Sequence, residues 1–392
     1  MKGQDMPLMQ GFPPAPEDRA TLANWRTQPF NAWAFHHVRE VVPSAEIRND
    51  PANVRVLEQG DTDLSAANLD QAIDGMANDA LVILHKGKVV HESYRNGMTR
   101  HDPHILMSVS KSMLGLVMGT LVERGEVAVD DLLTKYLPEL SGTAYAGATI
   151  RHALDMQVGL EFEEDYTATS GVIVDYRKAA NWNPLAPGDE AGDLRSFQER
   201  LTGTTGPHGE TFYYASPVTD MLAWLMERAT GLRFADLISQ RLLAPMGAET
   251  SGYITVDRIG GARGAGGMCL TARDLALVGQ LMIEGGARDG VQIIPQSWID
   301  DIVTQGDNAA WKRGDFLDKF EDQDMHYRAK WYVHPGATPL IHGLGIHGQF
   351  LFVDPVRELS IAWFSSEGMP TDQGWMDHVM TSVERIRDAI AI

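Results

Sequence analysis

The segment HDPHILMSVSKSMLGLVMGT, residues 101–120, passes from a loop into an apolar helix at Ser108-Val109-Ser110-Lys111. Pro103 and its polar neighbours suit the loop. Met107, Leu114, Val117 and Met118 then recur at helical spacing. Residues three apart share a helix face, so the Ser108 hydroxyl and the Lys111 amine sit one turn apart. A serine in the first turn also meets unsatisfied backbone N–H groups and the positive end of the helix dipole. An alkoxide nucleophile needs a neighbouring base and a positive environment, and this spacing supplies both. Gly115 and Gly119 continue the Lys111 side and leave room for another backbone to press close. Ser-x-x-Lys alone is a weak signal, arising by chance about once in a chain this long. Its plainer reading is a helix cap followed by a solvated lysine. A lysine set among Met, Leu and Val favours the chemical reading, because an amine is rarely buried without a partner.

The 392 residues suffice for one large or two closely joined domains, and 44% hydrophobic with 22% charged residues is ordinary for a globular chain. A formal net charge of -20 argues against nucleic acid or an anionic membrane as a partner. The single cysteine, Cys269, precludes an internal disulfide and reads as a small core residue. The N-terminus lacks a sustained apolar h-region, and the apolar run Met113 to Val122 is about half the roughly 20 residues of a membrane span. The expected setting is soluble and cytoplasmic.

Outward from this helix, residues 1–62 read as an extension that packs on the body, with four aromatic residues from Trp25 to Phe35. A helix is expected over Asp63 to Met76 with Ser65 as a candidate cap, then strands Ala80–His85 and Lys88–Tyr94 around a tight Lys86-Gly87 turn. Strand signals are scarce over 130–211, where a mostly helical domain is expected, with a long surface loop from Asn181 to Asp193. Aromatic and acidic residues over Glu161–Tyr166, together with Trp182, suit a cleft wall. Ser216-Pro217 opens a helix that Gly231 closes, and Thr271 and Asp274 form a capping-box-like start to another. Ile346–Val353 and Leu359–Phe364 read as strands around Asp354-Pro355, and Trp375–Ile390 as a closing amphipathic helix. The fold class is therefore α+β. One antiparallel sheet is built from both ends of the chain and flanked by helices (63–129 and 212–392), with the helical domain between.

A Ser–Lys pair still needs a third group to move protons and N–H donors for an oxyanion. Tyr214, in Tyr214-Ala215-Ser216, suits the first role, since a phenol titrates at about 10 and a nearby ammonium would hold it as a phenolate base. The alternative is a core or strand-end tyrosine, with Tyr213 as competitor. Gly343-Leu344-Gly345-Ile346-His347-Gly348-Gln349, at the start of a strand, suits the second, through close backbone approach and a free edge-strand N–H. Its alternative is a glycine-rich bend. His342 and His347 invite a metal or triad reading, yet the 13 histidines show no ligand spacing. No Gly-x-Ser-x-Gly elbow occurs either.

Taken in order, Ser108-Val109-Ser110-Lys111, Tyr214-Ala215-Ser216 and the Gly345-containing strand resemble the serine-reactive β-lactamase and penicillin-binding-protein superfamily. Within it the chain is most similar to family VIII carboxylesterases and, above all, to 6-aminohexanoate-dimer (nylon-oligomer) hydrolases. The likeness runs through TLANWRTQPFNAWAFHH, VVPSA, LMSVSKS, LDMQ, EDY, TDMLAW, CLTARDLA and GLGIHGQ. The resemblance implies a β-lactamase-like fold with the site between the mixed and helical domains. Ser108 would be the nucleophile of an acyl-enzyme, with Lys111 and Tyr214 passing protons. The N–H groups of Ser108 and Ile346 would form the oxyanion hole. Tyr166 and Trp182 match lid residues of the nylon-oligomer hydrolases, and Arg177, Ala265 and Gly345 fall at substrate-binding positions.

Three departures qualify this. The superfamily's third motif is Lys-Thr-Gly or His-Thr-Gly, and Gly343-Leu344-Gly345 stands there. Arg177 replaces the acid that attracts a substrate amine, which it should repel by roughly 1 kcal/mol in a solvated cleft. Ala265 replaces an Asn. The expected activity is therefore hydrolysis of small carboxylic esters, with linear amides second and neutral or anionic acyl groups preferred. Hydrolysis of the 6-aminohexanoate dimer is the nearest alternative. Others are a β-lactamase or DD-peptidase role and a penicillin-binding sensor that acylates without turnover. No cofactor or metal is expected; the partner is a small-molecule ester or amide, and a homodimer is left open.

Overall fold

The computed structural model describes residues 8–316, 320 and 324–390, so the first seven residues of the expected extension lie outside the described residues. The strands are β1 (Ser44–Ile47), β2 (Asn78–His85), β3 (Lys88–Tyr94), β4 (His104–Ile105), β5 (Gly252–Thr255), β6 (Met268–Leu270), β7 (Ala287–Arg288), β8 (Val291–Gln292), β9 (His326–Arg328), β10 (Trp331–His334), β11 (Leu340–Gly345), β12 (Gln349–Asp354) and β13 (Leu359–Ser365). Seven of them form the main sheet in the order β3-β2-β13-β12-β11-β10-β9, with every neighbouring pair antiparallel. The two ends of the chain meet where β2 pairs with β13. Both strands are buried along their whole length, which explains their near-continuous apolar character. Lys86 and Gly87 turn β2 into β3 at φ 53° and 74°, the doubly left-handed geometry of a two-residue hairpin loop.

Side-chain alternation assigns the covering helices to faces. Gly343 pairs with Leu351, and a Cβ on Gly343 would meet Ser112 and Val109 of the Val109–Glu123 helix. Val353 shares the Leu351 face and lies beside Gly279 of the Ala272–Ile283 helix. Phe350, on the other face, meets Trp375 of the Gln373–Asp388 helix. The molecule is thus helix, sheet, helix, with the Ser108 helix buried beneath the sheet.

A second sheet, β1-β5-β6-β4, delivers the chain into that helix. Leu106 N–H donates to Met268 O at 2.8 Å and Ile105 N–H to Phe35 O at 2.8 Å, fixing the entry from two directions. Residues 130–211 form short helices and loops and no strand, among them Ile150–Leu154, Val172–Ala179 and Leu194–Gln198. The Ser216–Thr230 helix follows and ends at Gly231, φ 70°.

Two expected helix starts differ. The segment from Asp63 to Met76 is a 3-10 turn, Ser65–Ala67, and a separate helix, Leu69–Asp74, because Asn68 adopts φ 52° between them. Ser65 caps neither. Ser216 is the first helical residue rather than the cap, and its hydroxyl is bonded to Glu164 instead.

Candidate active site

The helix entry is held open at Met107, a buried non-glycine residue at φ 45°. Such a conformation costs about 1–3 kcal/mol and persists only where its surroundings impose it. It turns Ser108 outward: the serine is partly exposed, whereas Lys111 is 1% exposed. Lys111 Nζ donates to Ser108 Oγ at 2.7 Å and to Ala265 O at 2.7 Å. Burial pulls the Lys111 pKa down to about 7; Glu164 and Asp220 oppose the shift, and Arg263 adds to it. Close to neutrality this amine therefore exchanges readily between ammonium and free base. The neighbouring serines are committed elsewhere, Ser110 Oγ accepting from Met268 N–H at 3.1 Å and Ser112 Oγ donating to Lys330 O at 2.8 Å.

Tyr214 is 5% exposed, and its ring centroid lies 4.9 Å from Lys111 Nζ. Burial foremost, then the charge of Glu164, raise its pKa, while a hydrogen bond with Ser108 works the other way. These surroundings favour the protonated phenol over the phenolate expected from the sequence. Tyr213 is not a competitor, since its hydroxyl donates to Phe162 O at 2.7 Å.

Gly345 ends β11, where a Cβ would stand 2.6 Å from Leu106 O and 3.0 Å from Met107 Cβ. Only glycine lets this strand approach the residues just ahead of Ser108. Ile346 is not in a strand, as expected from the sequence, but in the turn between β11 and β12. Nor is β11 an edge, since β10 and β12 flank it. His347 and Gly348 make that turn at φ 63° and 85°, and His347 N–H donates to Pro370 O at 2.9 Å. The His347 ring is buried with Nδ1 2.7 Å from Glu367 O, and His342 is buried among aromatic rings. Both histidines are structural.

Ser108, Tyr166 and Ile346 sit at the junction of two cavities of different character. One is apolar, walled by Tyr214, Phe316, Tyr332, Leu344 and Trp375. The other is lined by Arg26, Glu164, Arg177, Trp182, Arg263 and Ala265. Tyr166 donates to Glu164 at 2.8 Å, and Glu164 also accepts from Ser216 N–H at 2.6 Å. Trp182, expected as a lid, is buried with its Nε1–H donating to Thr255 Oγ1 at 3.0 Å and its ring edge-on to Trp25 at 5.2 Å. Arg177 donates to the carbonyls of Ala168, Asp165 and Tyr166 and so braces the Tyr166 loop. Ala265 contributes backbone only: its carbonyl accepts from the Lys111 amine, and its N–H donates to Asp220 Oδ1 at 2.8 Å. Arg26, Arg263 and Asp220 were not singled out from the sequence as site residues. Arg263 pairs with Asp220 and Tyr176, which no short-range motif announces.

Among the described residues no cluster of three or more His, Cys, Asp or Glu side chains is placed to hold a metal ion. No helix among them is long and apolar enough to cross a membrane.

A family model described as Beta-lactamase matches residues 62–375. The 6-aminohexanoate-dimer hydrolase of Paenarthrobacter ureafaciens is 34% identical over 385 residues, covering 97% of each chain. A solved structure from Bacillus anthracis, of a proposed 6-aminohexanoate-dimer hydrolase, superposes with a TM-score of 0.85 at 24% identity, covering 96% of this chain and 98% of that one. A family VIII carboxylesterase structure superposes with a TM-score of 0.61 at 14% identity over 84% of this chain and 99% of the other, a likeness of fold.

Proposed function

The chain belongs to the Beta-lactamase family, and on that footing we propose that it is a serine hydrolase cleaving small carboxylic esters, and linear amides, through an acyl-enzyme on Ser108. The observation that carries this reading is the 2.7 Å contact between Ser108 Oγ and a buried amine whose pKa is drawn down to about 7. When the amine is neutral, its lone pair takes the Ser108 proton as Oγ bonds to the substrate carbonyl carbon. The negative oxygen then faces the N–H groups of Ser108 and Ile346. As the bond to the leaving group breaks, the Tyr214 hydroxyl protonates that group and Lys111 returns a proton to Tyr214. A water then adds to the acyl carbon by the same relay, releasing the acid and restoring the Ser108 hydroxyl.

Hydrolysis of p-nitrophenyl butyrate tests this directly. Release of p-nitrophenol by the wild type and its loss in Ser108→Ala are expected. Turnover unchanged in Ser108→Ala would overturn the assignment. A permanent acyl adduct on Ser108 in intact-mass spectra, without turnover, would point instead to a sensor.

A second reading is hydrolysis of the 6-aminohexanoate dimer, favoured by the 34% identical relative of that name. Arg177 in the cleft speaks against a protonated amine there. A chromatographic product assay separates the two, with the dimer expected to be cleaved faster by Arg177→Asp than by wild type.

A further inference from the structure

The cavity on one side of Ser108 is lined by three arginines, Arg26, Arg177 and Arg263, and by one carboxylate, Glu164, with Asp220 outside the lining as the partner of Arg263. Glu164 accepts from the neutral donors Ser216 and Tyr166 and keeps its charge, whereas Asp220 is committed to Arg263, Tyr176 and Ala265 N–H. Arg263 is thereby neutralised. Arg26 and Arg177 have no carboxylate within ion-pair distance among the described residues. Arg177 bonds three backbone carbonyls, and Arg26 donates to Asn183 Oδ1 at 2.5 Å while lying near the rings of Trp25 and Trp182. Arg26 Nε is buried and without a partner. Burial foremost, and then the repulsion of neighbouring guanidiniums, draw both pKa values down, with Glu164 opposing the shift at Arg177. A guanidinium nevertheless stays charged at neutral pH. Neither of these two guanidiniums is in an ion pair among the described residues, and Glu164 is the one carboxylate lining the cavity, so an excess of positive charge stands beside the nucleophile that a bound anion would offset.

The two cavities also differ in what they can accept. Tyr214, the proton donor to the leaving group in the reading above, faces the apolar cavity and not the cationic one. A leaving group must lie against its proton donor, so the apolar cavity takes the leaving group and the acyl chain extends toward the guanidiniums. Resting on the acyl-hydrolase reading, we propose that the substrates are esters or amides of dicarboxylic acids, whose distal carboxylate is bound between Arg26 and Arg177. Planar guanidinium groups suit a carboxylate because they can donate to both of its oxygens.

The test compares mono-p-nitrophenyl esters of glutaric and adipic acids with p-nitrophenyl valerate and hexanoate, which share the leaving group. The expected result is kcat/KM at least about tenfold higher for the anionic member of each pair. That ratio should fall toward one in Arg26→Gln and below one in Arg26→Glu. Because Arg177 also braces the Tyr166 loop, Arg177→Lys is paired with Arg177→Gln: the ratio survives where charge is kept and collapses where it is lost. Equal turnover of both esters would overturn the carboxylate site while leaving the hydrolase reading intact. Calorimetric binding of the same esters to Ser108→Ala separates the converse case. Tighter binding of the anionic ester, with no turnover of either by wild type, would keep the carboxylate site and sink the hydrolase reading. Equal binding would overturn the site.

Discussion

In the proposed reaction Lys111 sets the acid limb. Its folded-state pKa lies below that of a free lysine, so the amine is neutral above about pH 7 and charged below it. A lysine acting as the proposed base works deprotonated. kcat/KM for a neutral ester should therefore rise with pH through a single ionisation near 7 and be lost as pH falls through that value. A profile flat from pH 5 to 9 would remove Lys111 from the base role. Tyr214→Phe should lower kcat by roughly 10²–10⁴-fold and leave that limb in place, as the proposed acid role of the phenol requires. Ser108 and Lys111 were legible in the sequence because a helix places residues three apart on one face. The upward shift of the Tyr214 pKa was not, because it depends on burial and on Glu164, 50 residues away in the chain. Asp220 shows the same limit: it reads as an ordinary helix residue, yet it is the buried counter-ion of Arg263.

The elements around the site are placed by close backbone contact, and glycine marks the contact points. Gly115, read from the sequence as room for a neighbouring backbone, lies under Ala329, whose carbonyl oxygen an added Cβ would overlap. Gly345 plays the same part on the strand side, against Leu106 and Met107. Gly345→Ala should push β11 and the Ile346 turn away from Ser108. A kcat loss of about tenfold or more is expected, since a displacement near 1 Å can cost about 10²-fold. The accompanying loss of stability should be about 1–3 kcal/mol, read by urea denaturation. Unchanged kcat would show that this strand does not position the reacting groups. The hairpins differ in how plainly the sequence announced them. Lys86-Gly87 lies between two strand-like runs, Ala80–His85 and Lys88–Tyr94, and was evident. The turn at Ile346-His347-Gly348 was hidden, because Ile346 continues the apolar pattern of β12 and the bend is fixed by distant groups, Pro370 and Glu367.

At the scale of the molecule, the main sheet closes both ends of the chain on each other, and the segment ahead of β1 is built into the interior. Trp25 is 1% exposed, meets Phe35 and Trp182 edge-on, and donates through Nε1–H to Trp182 O at 3.2 Å. Trp25→Ala should cost about 3–5 kcal/mol, measured from denaturation midpoints, and should raise KM by loosening Trp182. A change under about 1 kcal/mol would mean that this segment merely lies on the surface. The antiparallel sheet made from both chain ends and the strandless stretch over 130–211 were legible from alternation and its absence. The small β1-β5-β6-β4 sheet was not, because its strands are two to four residues long and too short to carry a period. The groups expected to make and break bonds belong to the Ser108 helix, the entry to the Ser216–Thr230 helix and the Gly345 hairpin. The guanidiniums of the proposed carboxylate site come from elsewhere, Arg26 from the N-terminal segment and Arg177 from the Val172–Ala179 helix. A lineage with this architecture can trade one diet for another by point changes in those outlying segments, inheriting its reaction unaltered.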